Sequence, residues 1–324
     1  MTEKSAIFGA ARVSVLEKQL LNKENLRSLI ETDADGAMKL LSGRSYGGEN
    51  AGSDNLESLI AGEIKYARGI VLELSSDPVC TDAFLLRHDI TNLKLLIKLR
   101  LQGIEPDISA LSKDGLYEPA LLALMVKEWD FPELPELFRE WLKKLDGELA
   151  RDKNPQTVSV TLDKMYYSYV RSLGKPFLNE YFGTECDFVN LLTLMRMKKY
   201  DISKSLFESL LMPEYRLGLK TVCECFTKKE LNPKKLVSGG FHGVEKTLCA
   251  ALEGDNAFAV QKLKDDVLLS LIRERKNDMQ SVYPVIWFYA AKVRESEIIR
   301  LVVTMKRSGF KNDKIEERLR ELYG

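Results

Sequence analysis

The 324-residue sequence has almost no histidine and carries no net charge. His88 and His242 are the two histidines, and 48 basic residues balance 48 acidic ones. The zero net charge argues against a broad basic surface for nucleic acid or anionic lipid, because such binding depends on many Lys and Arg contacts with phosphate. We interpret His88 as a helix-end residue and His242 as a polar residue of a loop, and neither as a catalytic base.

Long apolar runs are also missing. The longest uncharged apolar stretch covers residues 279–291 and contains Pro284, whereas a membrane-spanning helix needs about 20 apolar residues. The first residues lack the apolar core of a signal peptide. We therefore expect any membrane association to go through a partner or a surface contact.

The cysteines form an odd set without the spacing of a disulfide framework: Cys80, Cys186, Cys223, Cys225 and Cys249. Reduced thiols are the default for such a set in an intracellular chain. Cys223 and Cys225, with His242 and Cys249 downstream, resemble the beginnings of a zinc site. Positions i and i+2 do not face each other on a helix, so we predict buried thiols and no metal.

Sequence motifs for nucleotide binding and catalysis are lacking as well. Gly36, Gly43, Gly47 and Gly48 are scattered, and no Gly-Lys-Ser/Thr follows a strand. Asp265-Asp266 is an acidic pair, but neighbouring carboxylates point apart on a helix and no second pair is evident. We therefore predict no catalytic residue and no cofactor, so that the chain is not an enzyme.

What the sequence does contain is helical periodicity. Hydrophobic residues make up 45% and charged residues 30% of the chain, which is ordinary for a well-charged helical protein. Apolar residues recur at helical spacing in 14–30, 56–74 and 158–173, and no stretch favours a strand. The predicted fold class is all-α, with a last helix over Ile315 to Leu322.

One helical stripe stands out in residues 89–103. Asp89, Leu93, Leu96 and Arg100 lie at offsets of zero, four, seven and eleven, which places them on one narrow face of a helix. The pattern predicts Asp89 as a cap at the helix start. It predicts Gly103 just past the helix end, where a left-handed residue is favoured.

The stripe recurs twice. Its second copy is Asp187, Leu191, Leu194 and Lys198, and its third is Glu295, Ile299, Val302 and Lys306. The acids are 98 and 108 positions apart (187 − 89 and 295 − 187), too far for the usual solenoid repeats of about 20–50 residues. One such stripe arises easily by chance, but three at near-equal spacing indicate a repeat. We predict three similar helical domains, 1–107, 108–212 and 213–324, in a pseudo-threefold arrangement.

Several segments also resemble a known family. The segments "ARVSVLEKQLLNKENLRSLIETDADGAMK" (11–39), "FLLRHDITNLKLLIKLRLQG" (84–103), "CDFVNLLTLMRMKKY" (186–200) and "VRESEIIRLVVTMKRSG" (293–309) are similar to the C subunit of the V-type and A-type rotary ATPases, called the d subunit in eukaryotes. The resemblance covers essentially the whole chain in length and order. It departs at Asp201, where the other copies have Gly103 and Gly309, and at Ile298, where they have Asn92 and Asn190.

The resemblance implies a funnel-shaped, non-catalytic rotor subunit of the central stalk. Such a protein would be a socket that joins the axle, made of the D and F subunits, to the proteolipid ring and transmits torque for ATP-coupled H⁺ or Na⁺ transport. It would be peripheral, present once per complex on the cytoplasmic face, and would contact the membrane only through the ring. Neither nucleic acid nor a cofactor is implied, and the resemblance assigns no partner-binding residue.

Two other classes of protein fit the residues alone. One is a helical adaptor with no rotary role, which would not bring the D and F subunits or the proteolipid ring in a pull-down. The other is a helical metalloenzyme that uses the cysteines or Asp265-Asp266, which would carry metal when purified.

Overall fold

The computed structural model describes residues 5–319, and within that range every regular element is a helix. The all-α prediction is confirmed. The helices divide into two compact units: one holds residues 5–81 and 269–319, and the other holds residues 82–268. The first unit therefore joins segments from both ends of the described chain. The division into domains at residues 108 and 213, and their pseudo-threefold arrangement, stay predictions.

Sixteen α-helices lie within the described range. In chain order they are α1 (Ala6–Leu16), α2 (Lys23–Glu31), α3 (Ala34–Gly43), α4 (Leu56–Leu74), α5 (Pro78–Gln102), α6 (Pro119–Glu128), α7 (Glu136–Leu149), α8 (Pro155–Ser172), α9 (Pro176–Met197), α10 (Lys204–Leu210), α11 (Leu219–Lys228), α12 (Pro233–Leu236), α13 (Glu245–Glu253), α14 (Ala257–Arg273), α15 (Tyr283–Arg307) and α16 (Asn312–Arg318). The last is shifted from the predicted 315–322, of which residues 320–322 lie outside the described range.

Local sequence signals set many of the helix starts. Asn22 and Asn25 form a reciprocal capping box at the start of α2, and Asp33 caps α3. Proline occupies the first turn of several helices, where its missing N–H is not needed and its fixed φ suits the helix; these are Pro119, Pro155, Pro176, Pro233 and Pro284.

The three stripes lie on the three longest helices, α5, α9 and α15, which we call the anchor helices. They contain 25, 22 and 25 residues. Leu93, Leu191 and Ile299 are fully buried at 0% exposure, and Leu96, Leu194 and Val302 are equally deep in the core. A long helix precedes each anchor helix in the chain: α4, α8 and α14, with 19, 18 and 17 residues.

The predicted helix start at Asp89 is wrong. Helix α5 begins at Pro78, so Asp89 lies in its interior, and Asp187 and Glu295 likewise lie inside α9 and α15. The apolar face continues toward the amino end through buried Leu85 and Leu86, so packing favours a helix longer than the stripe.

The predicted helix end at Gly103 is confirmed. Gly103 has φ +68°, and Ile104 N donates to Leu99 O at 3.0 Å. Gly309 does the same after α15, with φ +75° and a 3.0 Å bond from Phe310 N to Met305 O. Both ends are left-handed caps of the kind that glycine stabilises.

A close approach of backbone fixes the loop between α3 and α4. A Cβ added at Gly62 would lie 2.0 Å from Gly47 O, whereas one added at Gly69 on the same helix meets nothing within 4 Å. Gly47 itself has φ +109°, a conformation open mainly to glycine. The loop therefore rests directly on the backbone of α4.

These two glycines give a matched test of the packing. Gly62→Ala is expected to lower the free energy of unfolding by about 1–3 kcal/mol, because the loop must move to make room. Gly69→Ala is expected to raise it by about 0.5–1 kcal/mol, since alanine favours the helix interior. Urea unfolding of both variants measures this; equal effects would contradict the close contact.

Candidate functional site

The acidic residue of the first stripe holds a loop in place. Asp89 is 0% exposed. Its Oδ2 accepts a hydrogen bond from Leu116 N at 2.7 Å, and its Oδ1 accepts one from Tyr117 N at 3.2 Å. A Cβ at Gly115 would lie 2.1 Å from Asp89 Oδ1, so glycine is needed for this approach. The carboxylate thus binds the backbone that leads into α6.

Asn92, one turn further along α5, holds the same loop at a second point. Its Nδ2 donates to Ser112 O at 2.7 Å, and its Oδ1 accepts from Ser112 N at 3.0 Å. The amide therefore satisfies both polar groups of one backbone residue. Asp89 and Asn92 together fix residues 112–117 against the helix.

The second anchor helix repeats this arrangement. Asp187 Oδ2 accepts from Arg216 N at 3.0 Å. Asn190 donates to Met212 O at 3.2 Å and accepts from Met212 N at 2.7 Å. The loop held here leads into α11 as the first leads into α6. Equal residue types at equal spacing thus make equivalent contacts in two copies.

The environment of Asp187 is less complete than that of Asp89. Its Oδ1 is buried and receives no hydrogen bond from residues 5–319. Burial raises the pKa of Asp187 to about 6, although the amide of Arg216 acts to lower it. The carboxyl group is therefore far more easily protonated than an exposed aspartate.

In the third copy the held segment comes from the start of the chain. Glu295 is 1% exposed, and its Oε2 accepts from Leu21 N at 3.4 Å, 274 positions away. Leu21 lies just before α2. Ile298, buried at 2% exposure, stands where the other copies have asparagine, so this copy lacks the amide contact. Both Glu295 and Leu21 lie in the first unit, so the arrangement closes within that unit.

The helices that follow the held loops correspond in length. Helices α6, α11 and α2 contain 10, 10 and 9 residues. The basic end of the stripe contacts the far end of that helix in two copies: Arg100 lies 4.4 Å from the ring of Trp129, directly after α6, and Lys306 Nζ donates to Ile30 O in the last turn of α2. Lys198 instead pairs with Asp255 at 3.2 Å.

A buried ion cluster accompanies the third acid. Lys292 Nζ lies 2.5 Å from Glu63 Oε1 and 3.5 Å from Glu295 Oε1. Gly47 N donates to Glu63 Oε2 at 2.8 Å. Burial acts to lower the pKa of Lys292, but the charges of Glu295 and Glu63 hold it above its ordinary value. The lysine therefore stays charged in the core of the first unit.

The residues weighed for catalysis or metal binding do not converge. His88 Nδ1 lies 3.2 Å from Ser112 Oγ, and His242 Nε2 lies 2.9 Å from Thr184 Oγ1. Cys223 and Cys225 are buried on α11. Across residues 5–319, no three His, Cys, Asp or Glu side chains are grouped as a metal would require. Asp265 accepts a bond from Gln261 at 3.2 Å.

In the described part of the chain, no helix combines the length and the apolar character needed to cross a membrane.

One side-chain pair of the repeat was not predicted from the sequence. Arg87 Nη1 donates to Glu185 Oε1 at 2.9 Å and connects α5 to α9. The two residues each lie two positions before a stripe acid. Aligning the first two stripes would have shown that Arg87 and Glu185 occupy the same position in their copies and carry opposite charges.

Comparison with known proteins gives matches along nearly the whole chain. The family model "ATP synthase (C/AC39) subunit" matches residues 10–318. The chain is 22% identical over 316 residues to the C subunit of the V-type sodium ATPase of Enterococcus hirae, with 95% of each chain covered. It is also 26% identical over 236 residues to the C subunit of the A-type ATP synthase of Methanosarcina acetivorans, covering 66% of this chain and 64% of that protein.

The amide contacts predict a loss of stability on truncation. Asn92→Ala leaves the N–H and C=O of Ser112 unpaired, and Asn190→Ala does the same to Met212. Asn190→Ala is expected to lose about 2–4 kcal/mol, because each orphaned buried group costs about 1–3 kcal/mol. Asn92→Ala is expected to lose less, because Ser112 is half-buried and water can reach its backbone. Chemical denaturation measures the loss, with the exposed Asn277→Ala as control. A loss no larger than that of the control would contradict the assigned role.

The raised pKa of Asp187 predicts that the stability of the protein depends on pH in a specific way. In the unfolded chain its carboxyl group has its ordinary pKa of 3.8, against about 6 in the folded protein. Protonation of Asp187 therefore stabilises the folded state fully below pH 4, and this stabilisation is lost as the pH rises through 6. The difference between the two pKa values corresponds to about 3 kcal/mol of stability. Relative to Asp187→Asn, the natural protein should lose stability between pH 4 and 7 in urea unfolding. Parallel pH curves would exclude the shift.

Proposed function

The chain belongs to the ATP synthase (C/AC39) subunit family, and from this premise we propose that it is a non-catalytic rotor subunit. In this role it joins the central axle, made of the D and F subunits, to the ring of proteolipid subunits. It passes torque between them and takes no part in ATP chemistry. One copy per complex binds the cytoplasmic end of the ring, and its membrane contact runs through the ring.

The relatives support the placement in a rotary complex. One is named as part of a V-type sodium ATPase and matches this chain along 95% of both lengths. The other is named as part of an A-type ATP synthase. The two names cover both directions of coupling between ATP and an ion gradient, so the family name alone fixes neither the ion nor the direction.

The held loops support a mechanical role. A part that transmits torque must not yield between its two contact faces. In each anchor helix a buried acid binds the backbone of another segment, at 2.7 Å for Asp89, 3.0 Å for Asp187 and 3.4 Å for Glu295. A buried side chain that binds backbone directly leaves the bound segment little freedom to move, and close-packed helices transmit strain. This repeated contact is the observation that carries the proposal.

The test is reconstitution of the complex in vesicles with and without this chain. Without it, ATP hydrolysis by the soluble head should continue, whereas ATP-driven ion pumping should stop, because the ring is no longer held to the axle. Adding the chain back should restore pumping, and it should bring the D and F subunits and the proteolipid ring in a pull-down. The Gly69→Ala variant, in which the added methyl group meets nothing, should restore pumping as well as the natural chain does.

Three outcomes would contradict the proposal. Full pumping without the chain would show that it is not in the torque path. Nucleotide turnover by the isolated chain would show that it is catalytic. Binding of unrelated helical partners, without binding of the axle or the ring, would favour an adaptor.

A further inference from the structure

In the second and third copies a short helix follows the anchor helix and packs on the helix after the held loop. In the second copy α10 packs against α11, and the rings of Phe207 and Phe226 stack with their centroids 3.9 Å apart. In the third copy α16 packs against α2, and its Ile315 is fully buried. Each of these short helices contains seven residues. In both copies, therefore, the chain itself places a bulky apolar side chain against that helix.

The first copy has no such helix. Between α5 and α6 the chain forms only a single turn of 3₁₀ helix, at Ile108–Ala110. None of residues 104–110 is buried, and Ile104 and Ile108 are 51% and 36% exposed. No side chain of this segment thus packs against α6 as Phe207 packs against α11.

An open cavity of about 420 Å³ lies at this place, between α5, the segment and α6. Seven of its eleven lining residues are apolar, and Leu124 among them is 50% exposed. Val126 also lines it and is the eighth residue of α6, as Phe226 is the eighth of α11. The cavity therefore lies on the part of α6 that corresponds to the place of the Phe207 ring on α11.

A cavity beside α11 in the second copy has a different character. Its volume is about 690 Å³, and five of its nine lining residues are charged, including the pair of Lys204 and Glu208. Only three of the eleven residues around the first-copy cavity are charged. An exposed apolar site beside this helix is thus a feature of the first copy rather than of the second.

The charged residues of the first-copy cavity are Arg100, Lys127 and Glu105, which give it a formal charge of +1. The guanidinium of Arg100 lies 4.4 Å from the ring of Trp129, a contact that uses none of its N–H donors. Among residues 5–319, neither these donors nor the ammonium of Lys127 has a hydrogen-bond or carboxylate partner. The cavity therefore complements an apolar side chain that is accompanied by a carboxylate.

We propose that this cavity receives a short, acidic, amphipathic helix of a partner protein, which takes the place that α10 and α16 occupy in the other two copies. A bulky apolar side chain of the partner packs against α6, as Phe207 packs against α11. A carboxylate on the same helix pairs with Arg100 or Lys127. The binding of an amphipathic helix in an apolar groove is a recurring mode of recognition, and the chain itself shows this packing twice.

The probe for the cavity is a peptide with the sequence of residues 203–211, which contains α10. Because so short a helix does not form alone in water, a lactam between Lys204 and Glu208 holds the peptide helical. The acidic version carries Ser203→Glu. One control version carries Phe207→Ala in addition, and the other carries Ser203→Lys in place of Ser203→Glu.

The peptides are titrated into the full chain, and the amide resonance of Gly103, which lines the cavity, is followed by NMR. We expect the acidic version to shift it saturably. Both controls should bind about tenfold more weakly, because one lacks the apolar side chain and the other has the wrong charge. Gly218, just before α11, would report displacement of α10 and should not shift. Absence of a saturable shift at Gly103, or a shift at Gly218 alone, would overturn the proposal.

Variants of the chain test the cavity from the other side. Leu124→Asp and Lys127→Glu each add a negative charge and should weaken binding of the acidic peptide about tenfold. Both residues are exposed, so the variants should keep the fold, which urea unfolding checks. Leu40→Asp on α3 and Lys143→Glu on α7 are matched controls, because these residues are also exposed and do not line the cavity. Both controls should bind as the natural chain does, and equally tight binding by Leu124→Asp would overturn the proposal.

A lipid surface is the other occupant that an apolar, positively charged cavity fits. Vesicles of phosphatidylglycerol should therefore bind the natural chain no better than they bind Leu124→Asp. Vesicle binding that is lost in Leu124→Asp, together with no binding of the acidic peptide, would overturn the proposal in favour of lipid. None of these measurements requires another subunit, so they judge the cavity independently of the rotor role.

Discussion

The structure depends on the need of a buried carboxylate for hydrogen-bond donors. An ionised carboxylate removed from water costs several kcal/mol unless donors replace the lost water. Asp89 sits in the middle of a long helix, whose own amides are already used in the helix. Its donors must therefore come from another segment, and the amides of Leu116 and Tyr117 supply them. One acid thus dictates where the following loop lies and how α6 begins.

The same requirement brings the two ends of the described chain together. Glu295 needs donors as Asp89 does, and in this copy they come from a segment far away in the sequence. The amide that it binds belongs to Leu21, and Lys306 binds the last turn of α2. These contacts, together with the packing of α15 against α1, α3 and α4, hold residues 5–81 and 269–319 in one compact unit. The first unit cannot open at α2 without exposing a buried acid.

Helical periodicity was enough to predict the all-α fold and the left-handed end at Gly103, because these features depend on local sequence. The family resemblance is likewise confirmed by the match over residues 10–318. The role of Asp89 was not predictable in the same way, since an acid at helical spacing fits a helix start as well as a helix interior. Its partners lie 27 and 28 positions away, and no local pattern marks them. The partner of Glu295 is 274 positions away, so only the folded chain reveals it.

The differences in the third copy are consistent with one another. In the first two copies the bound loop follows the anchor helix in the chain, whereas in the third copy it comes from the segment before α2. The two kinds of loop need not take the same path, so the pair of Asp and Asn that fits the first two copies is not required in the third. Glutamate extends the carboxylate by one methylene, and Ile298 removes an amide that would need its own partners in the core. The lost contacts are replaced by Lys292 and Glu63, which connect α15 to α4. The closure of the chain and the departure from the repeat thus have a common physical origin.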